Sequence, residues 1–312
     1  MFLKQIKKRS AFVVLVGLSF GLVACGGSDS SGSVEYNVKM GDFTPPSVVE
    51  DISETVAAAC KSGGLIDEIK ERGKLNWAIG ISPPFGFKLE DGTWAGVEAQ
   101  SAAELAKILG VDFSIVDYSY DVLPATLAAG TVDIIGAQLF ATDTRKEVID
   151  FSTPYYQAGQ LYFVREDSAF QTIDDLNKPE VRFVFGTGTA QGELAKKYTP
   201  KATISEAPLR GQLLMADFIA AGQADSSMGE AAAIQVIFTK YSEPKLAAIG
   251  KNGRITGERA TQEEMIDPFD VAFGVRKGDA AWKGCVDAWV EDLLTSKRIN
   301  ARLDYWLAQL EI

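Results

Sequence analysis

Open α/β sheets, mostly parallel and covered by helices on both faces, are the architecture this sequence predicts. Three observations carry that expectation. Short apolar runs of strand character alternate with helical periodicity along most of the chain. Glycines fall where helices should stop, as at Gly110 after the helically spaced apolar residues of 97–109. The 312 residues, 46% of them hydrophobic, suffice for two lobes with cores of their own.

Taken in order, residues 48–72 read as helix broken at Gly63-Gly64, an extension that holds Cys60 followed by a helix from Leu65. A strand at 75–79 leads into a loop through Ser82-Pro-Pro-Phe-Gly86. After helix 97–109 the alternation continues with strand 111–116, helix 121–129 ending at Gly130, and strand 132–135. Strand 161–165, helix 172–177, strand 181–185 and helices 190–198 and 209–221 extend it. Strand 224–228, helix 230–240 and strands 246–249 and 270–275 precede two closing helices, 279–295 and 298–310. No internal repeat interrupts the pattern.

Composition removes whole classes of chemistry. The chain contains no histidine, which excludes Ser-His-Asp and Cys-His nucleophile systems, imidazole acid–base catalysis and every His-ligated metal site. The formal charge is −11, and because Lys4, Lys7, Lys8 and Arg9 are the charges of the first 24 residues, the remainder carries −15. A body this acidic repels a phosphate backbone, so nucleic acid is not an expected partner.

The N-terminus reads as a targeting segment. A basic stretch, Lys4 to Arg9, precedes a 14-residue apolar run from Ala11 to Ala24. That run is shorter than the ~20 residues a membrane span needs and fits a secretory signal. Its end, Leu22-Val-Ala-Cys25, resembles a bacterial lipobox, which would make Cys25 the lipidated N-terminus of an exported protein; the alternative is a soluble export signal. Residues 26–33, Gly-Gly-Ser-Asp-Ser-Ser-Gly-Ser, lack core-forming side chains and extend as a tether to about residue 47. Cys60 and Cys285 then remain as a pair, expected as a disulfide in an oxidising compartment, with two separate buried thiols as the alternative.

Two segments carry candidate chemistry. The turn Phe185-Gly-Thr-Gly-Thr-Ala-Gln-Gly192 misses the dinucleotide spacing by one residue. It is either a helix start with free amides for an anion or a plain strand-to-helix turn. In Asp133 to Tyr156, a strand ends in a loop, Thr142 can cap a new helix, and Arg145 lies in its first turn. An arginine so placed can grip a carboxylate with two donors, or simply be a solvated charge.

The chain is similar to the family 3 extracytoplasmic solute-binding proteins, amino-acid receptors of ABC importers. The residues that carry the resemblance are Pro83-Pro-Phe85, Asp91-Gly to Gly96, and Thr142-x-x-Arg145 with Asp150-Phe-Ser-x-Pro-Tyr155. Gly188-Thr189, Gly222-x-x-Asp225 and the Trp282 to Trp289 helix complete them, over a span from about Leu65 to the end. Segments at Phe170-Gln-Thr-Ile and Val286-Asp-Ala-Trp also resemble cyclohexadienyl dehydratase, an enzyme branch of the same fold.

The resemblance implies a type II two-lobed binding-protein fold: residues 65–160 with 262–312 in one lobe, 161–261 in the other, and two crossing strands between them. It implies hinge closure on an amino acid or related carboxylate, delivery to a membrane permease, no cofactor, a monomer and no catalysis; the alternatives are a cyclohexadienyl or arogenate dehydratase-like lyase and a solute-sensing subunit without a transport role. By position, Arg145 would hold the α-carboxylate with amides at Thr189 and Ala190. Tyr120 would stack on the ligand, Glu230 would pair with the ammonium, and Phe85, Gln138, Phe140 and Thr142 would line the site. The family's usual small hydroxyl residue is replaced by Phe140, its small residue by Gln138 and its second sandwiching aromatic by Ser82. Where the dehydratase branch has a catalytic acid stands Ala233.

Overall fold

The computed structural model describes residues 52–208, 212–241, 243–255 and 260–310. The expected signal peptide, Cys25 and the tether lie outside the described residues. The chain opens with α1 (Glu54–Ala59) and α2 (Leu65–Arg72), then β1 (Lys74–Ile79), a small hairpin of β2 (Phe87–Lys88) and β3 (Trp94–Ala95), and α3 (Val97–Leu109). β4 (Asp112–Asp117), α4 (Leu123–Ala128), β5 (Ile134–Ile135), α5 (Asp143–Lys146) and β6 (Asp150–Phe151) complete the first half. A ten-residue strand, β7 (Tyr156–Arg165), then leads to α6 (Ile173–Leu176), β8 (Arg182–Gly186), α7 (Gln191–Tyr198), β9 (Thr203–Ala207) and α8 (Gln212–Ala220). β10 (Ser227–Glu230), α9 (Ala231–Thr239), β11 (Leu246–Gly250) and β12 (Gly253–Arg254) follow. The chain returns through β13 (Ile266–Val271) and β14 (Gly274–Val275) to α10 (Ala280–Thr295) and α11 (Arg298–Leu310).

Two sheets organise these elements. The first has the order β4-β1-β5-β14-β6, and the second β10-β7-β11-β12 with β13 also paired to β7. Each has its own core: Leu123, Leu127, Ile135, Leu139 and Ile149 in the first, Tyr162, Phe183, Leu194, Met228 and Ile249 in the second. This is the two-lobed α/β architecture. The expectation of mostly parallel sheets needs correcting. β1 pairs in parallel with β4 and β5, and β8 with β9, but β7 meets β10, β11 and β13 antiparallel, and β14 meets β5 and β6 antiparallel. The reason is topological: β7 carries the chain out of the first lobe and β13 brings it back, so these strands run in opposite directions. Residues 156–160 pair with β13 and 160–163 with β10, Gln160 meeting both, so β7 belongs partly to the crossing and partly to the second sheet.

The C-terminal helices return to the first lobe. Arg302 of α11 and Arg298 meet Glu104 of α3, which also accepts a bond from the Trp289 indole at 3.0 Å. Phe273 is stacked between Tyr155 and Trp289, with ring centroids 4.4 and 5.0 Å away. The N-terminal extension joins the same lobe through a Cys60–Cys285 disulfide, whose Cα atoms are 4.6 Å apart. Asp279 caps two helices at once, accepting from the Leu65 amide at 2.8 Å and the Trp282 amide at 2.9 Å.

Candidate functional site

The site lies where α5 of the first lobe meets the β8–α7 turn of the second. Thr142 has extended backbone and caps α5, accepting the Arg145 amide at 3.4 Å. That cap aims the Arg145 side chain across the seam. Its Nη1 donates to the Phe140 carbonyl at 2.9 Å and its Nη2 to the Gly188 carbonyl at 3.1 Å. Among the described residues it meets no carboxylate. Desolvation lowers the guanidinium to about 10, against a weaker opposing pull from Tyr120 and the Glu193 carboxylate.

Opposite, β8 ends at Gly186 and the chain turns into α7. The Thr189 amide and hydroxyl both donate to the Gly186 carbonyl, at 3.1 and 2.7 Å. The Thr189 amide expected to face a ligand is therefore used inside the turn. The Ala190 amide, at the helix N-cap, donates to no described group, as is also true of the Gln191 and Gly192 amides that follow it. Gly188 has φ 73°, and a Cβ on it would stand 2.3 Å from the backbone nitrogen of Asp121. Only glycine lets the two lobes come this close.

An inner pocket of about 40 Å³ is lined by Tyr120, Gln138, Phe140, Arg145, Thr189 and Ala190. The structure thus brings six of the expected site residues together. The Tyr120 hydroxyl donates to the Ala137 carbonyl at 3.0 Å. Thr142 lines an outer vestibule of about 430 Å³, with Asp121 on one wall and Glu193 on the other. Phe85 and Glu230 lie behind the pocket rather than on its lining. The Phe85 ring is buried against Tyr156, 5.3 Å between centroids. Glu230 is buried as the cap of α9, accepting the Ala233 amide at 3.0 Å and the Tyr156 hydroxyl at 3.1 Å. Burial raises its carboxyl, while those bonds and the nearby Gln138 amide pull the other way.

Glu98, Gln191, Phe185, Met215 and Met228 were not among the expected site residues, although Phe185 and Gln191 stand in the glycine-rich turn. The last four line the inner pocket. Glu98 lies beneath it, fully buried, accepting the Gln138 amide at 3.0 Å and the Tyr155 hydroxyl. Gln138 has φ 49°, unusual for a residue with a Cβ, and its Oε1 accepts the Ser82 hydroxyl at 2.8 Å. Glu98 thus holds a strained loop of the pocket in place. Burial pushes its carboxyl up to about 7, against the hydrogen bonds that favour the anion. A signal existed: Glu98 shares one helical face with Ala102, Leu105 and Leu109, all buried, so an acid stands in a core register.

Similarity to known proteins agrees with this geometry. A model of the bacterial extracellular solute-binding proteins, family 3, matches residues 75–309. The L-cystine-binding protein TcyJ of Escherichia coli is 37% identical over 127 residues, 40% of this chain and only about half (48%) of that relative's length. The cyclohexadienyl dehydratase of Pseudomonas aeruginosa is 27% identical, covering 78% of this chain and 85% of the enzyme. Among solved structures, the ancestral amino acid-binding protein AncCDT-1, a precursor of cyclohexadienyl dehydratase, aligns with TM-score 0.66 and 26% identity, over 78% of this chain and 100% of that one.

Proposed function

We propose that this chain, which belongs to the family 3 bacterial extracellular solute-binding proteins, is the tethered receptor of an ABC importer and closes on an amino acid or related carboxylate. One observation carries the reading: a half-buried Arg145 guanidinium bonded to two backbone carbonyls and to no carboxylate among the described residues, lining the same pocket as Ala190 at the start of α7. Such a cation favours an anionic ligand group with two acceptor oxygens. Arg145 and the Ala190 amide belong to different lobes, so a carboxylate that takes both binds the closed form more tightly and drives closure. Glu230 is the buried negative charge for the ammonium. Tyr120, Phe140 and Thr142 shape the space around the ligand, and Thr189 orders the turn that presents Ala190.

On this reading the lobes are residues 65–160 with 262–312, and 161–261. Cys25 carries the lipid, the permease is the partner, and the receptor works outside the cytoplasmic membrane as a monomer. Catalysis is not part of it. Ala233, where the dehydratase branch has an acid, is buried and holds only Glu230 through its amide. A thermal-shift screen of the purified chain tests the reading. A ligand at 100 times its dissociation constant adds about 2.7 kcal/mol, and prephenate should give no phenylpyruvate. Stabilisation by no amino acid or carboxylate, or measurable turnover, overturns it.

A further inference from the structure

We infer that the ligand's side chain ends in a neutral carboxamide or urea group, read by Gln138 from one lobe and Gln191 from the other. This rests on the receptor reading above and narrows its ligand class. Both glutamines line the inner pocket and both are more than nine-tenths buried, at 5% and 7% exposure. In each, one end of the amide is fixed and the other is not. Gln138 Oε1 accepts the Ser82 hydroxyl at 2.8 Å, while its Nε2, though near Glu230, completes no hydrogen bond. Gln191 Nε2 donates to Gln160 Oε1 at 3.1 Å, while its Oε1 has no partner. A buried polar atom without a partner is costly. The pair offers one donor and one acceptor from opposite walls of the same small space. A carboxamide supplies their complements, its carbonyl accepting from Gln138 and its NH2 donating to Gln191.

The rest of the lining excludes the alternatives. Arg145 is the only charged residue on the described lining, and it is committed to the carboxylate. With Glu230 behind the lining taken by the ammonium, a cationic side chain entering there would lose its hydration and find no second carboxylate on the wall. An acidic side chain would lack a second cation. A purely apolar one would fit the contacts with Phe185, Met215 and Met228 but leave both amide ends unpaired. The acids Asp121 and Glu193 line the outer vestibule instead.

The test is calorimetric titration of the purified full chain with L-asparagine, L-glutamine, L-citrulline, L-arginine and L-norleucine. Citrulline and arginine have the same length and differ in charge. The tightest of the three amide or urea ligands should bind at least about 10-fold more tightly than arginine and norleucine. Gln138→Leu and Gln191→Leu should each cut its preference over norleucine about 10-fold; either variant suffices if the other does not fold. Arginine or norleucine binding as well as the best amide ligand overturns the inference alone and leaves the receptor reading standing. So does an unchanged preference in the variants. Binding of none of the five overturns the inference, and the receptor reading then stands or falls on the wider thermal-shift screen.

Discussion

Arg302 is fully buried and Arg145 half-buried, and the two differ in what their guanidinium groups meet. Arg302, on α11, meets the buried carboxylate of Glu104 and donates to the Ser101 hydroxyl at 3.3 Å. Arg145, on α5, meets two backbone carbonyls across the seam between lobes. Burial lowers both guanidinium values, and in Arg302 the charge of Glu104 opposes that effect while in Arg145 the leading opposition comes from Tyr120. The first arginine has its counter-ion built into the fold. The second bonds only to dipoles, with the Glu193 carboxylate acting on it from beyond bonding distance, an arrangement that becomes more favourable when an anion arrives from outside. A structural cation and a binding cation are distinguished by that partner.

The sharpest way to break the contrast is to remove each arginine and measure stability. Arg302→Ala leaves Glu104 with Arg298 alone and should cost about 3–5 kcal/mol by chemical denaturation. Arg145→Ala removes a charge that no described carboxylate balances, and should change stability by less than about 1 kcal/mol. Equal losses would show that Arg145 is structural too.

Glu98 extends the contrast to acids on one helix, since Glu104 faces arginines and Glu98 faces Tyr155 and the Gln138 amide. Its folded value near 7 lies above the ordinary 4.5. Its contribution to stability is therefore fully present below about 4.5 and is lost as pH rises toward 7. Glu98→Gln should remove that component. The stability difference between native and variant protein should change by about 3 kcal/mol between pH 4 and pH 8. A difference independent of pH would mean that Glu98 does not titrate there.

A smaller effect concerns closure. Gly188→Ala puts a methyl group against the Asp121 backbone, so the seam must open slightly. Ligand affinity should fall about 10-fold with the fold retained, because binding draws on the closed form. Unchanged affinity would mean that the Gly188–Asp121 approach plays no part in binding.

Local chemistry made much of this legible in the sequence. The helix at 97–109 ends at Gly110 in the left-handed conformation, and Thr142 caps the helix that carries Arg145. Long-range pairing was harder to read. Only 161–165 of β7 stood out, because residues 156–160 are defined by β13, more than a hundred residues later. The Thr-Ile-Ser-Glu-Ala run of β9 is largely solvent-facing and gave no apolar signal. At the site, Arg145, Tyr120, Gln138 and Phe140 followed from motif positions. Glu98 was missed because an acid in the first turn of a helix normally faces water. The role of Gln191 depends on which pocket its amide enters, and that is set by how the lobes meet. Glu230 shows the converse: its position was found, but its oxygens serve first as a helix cap.

The central claim, that Arg145 receives the ligand's carboxylate, is tested most directly by changing both partners. The tightest-binding amino acid and its α-carboxamide are titrated calorimetrically against the native chain and Arg145→Ala. Breaking a buried charged pair costs about 2–5 kcal/mol, or about 30-fold to several thousand-fold in affinity. The native chain should lose that much when the carboxylate is neutralised, Arg145→Ala should lose it for the free acid, and the two changes together should cost little more than either alone. If the native chain binds the α-carboxamide as tightly as the acid, or if Arg145→Ala binds the acid normally, the carboxylate is held elsewhere and the account is contradicted.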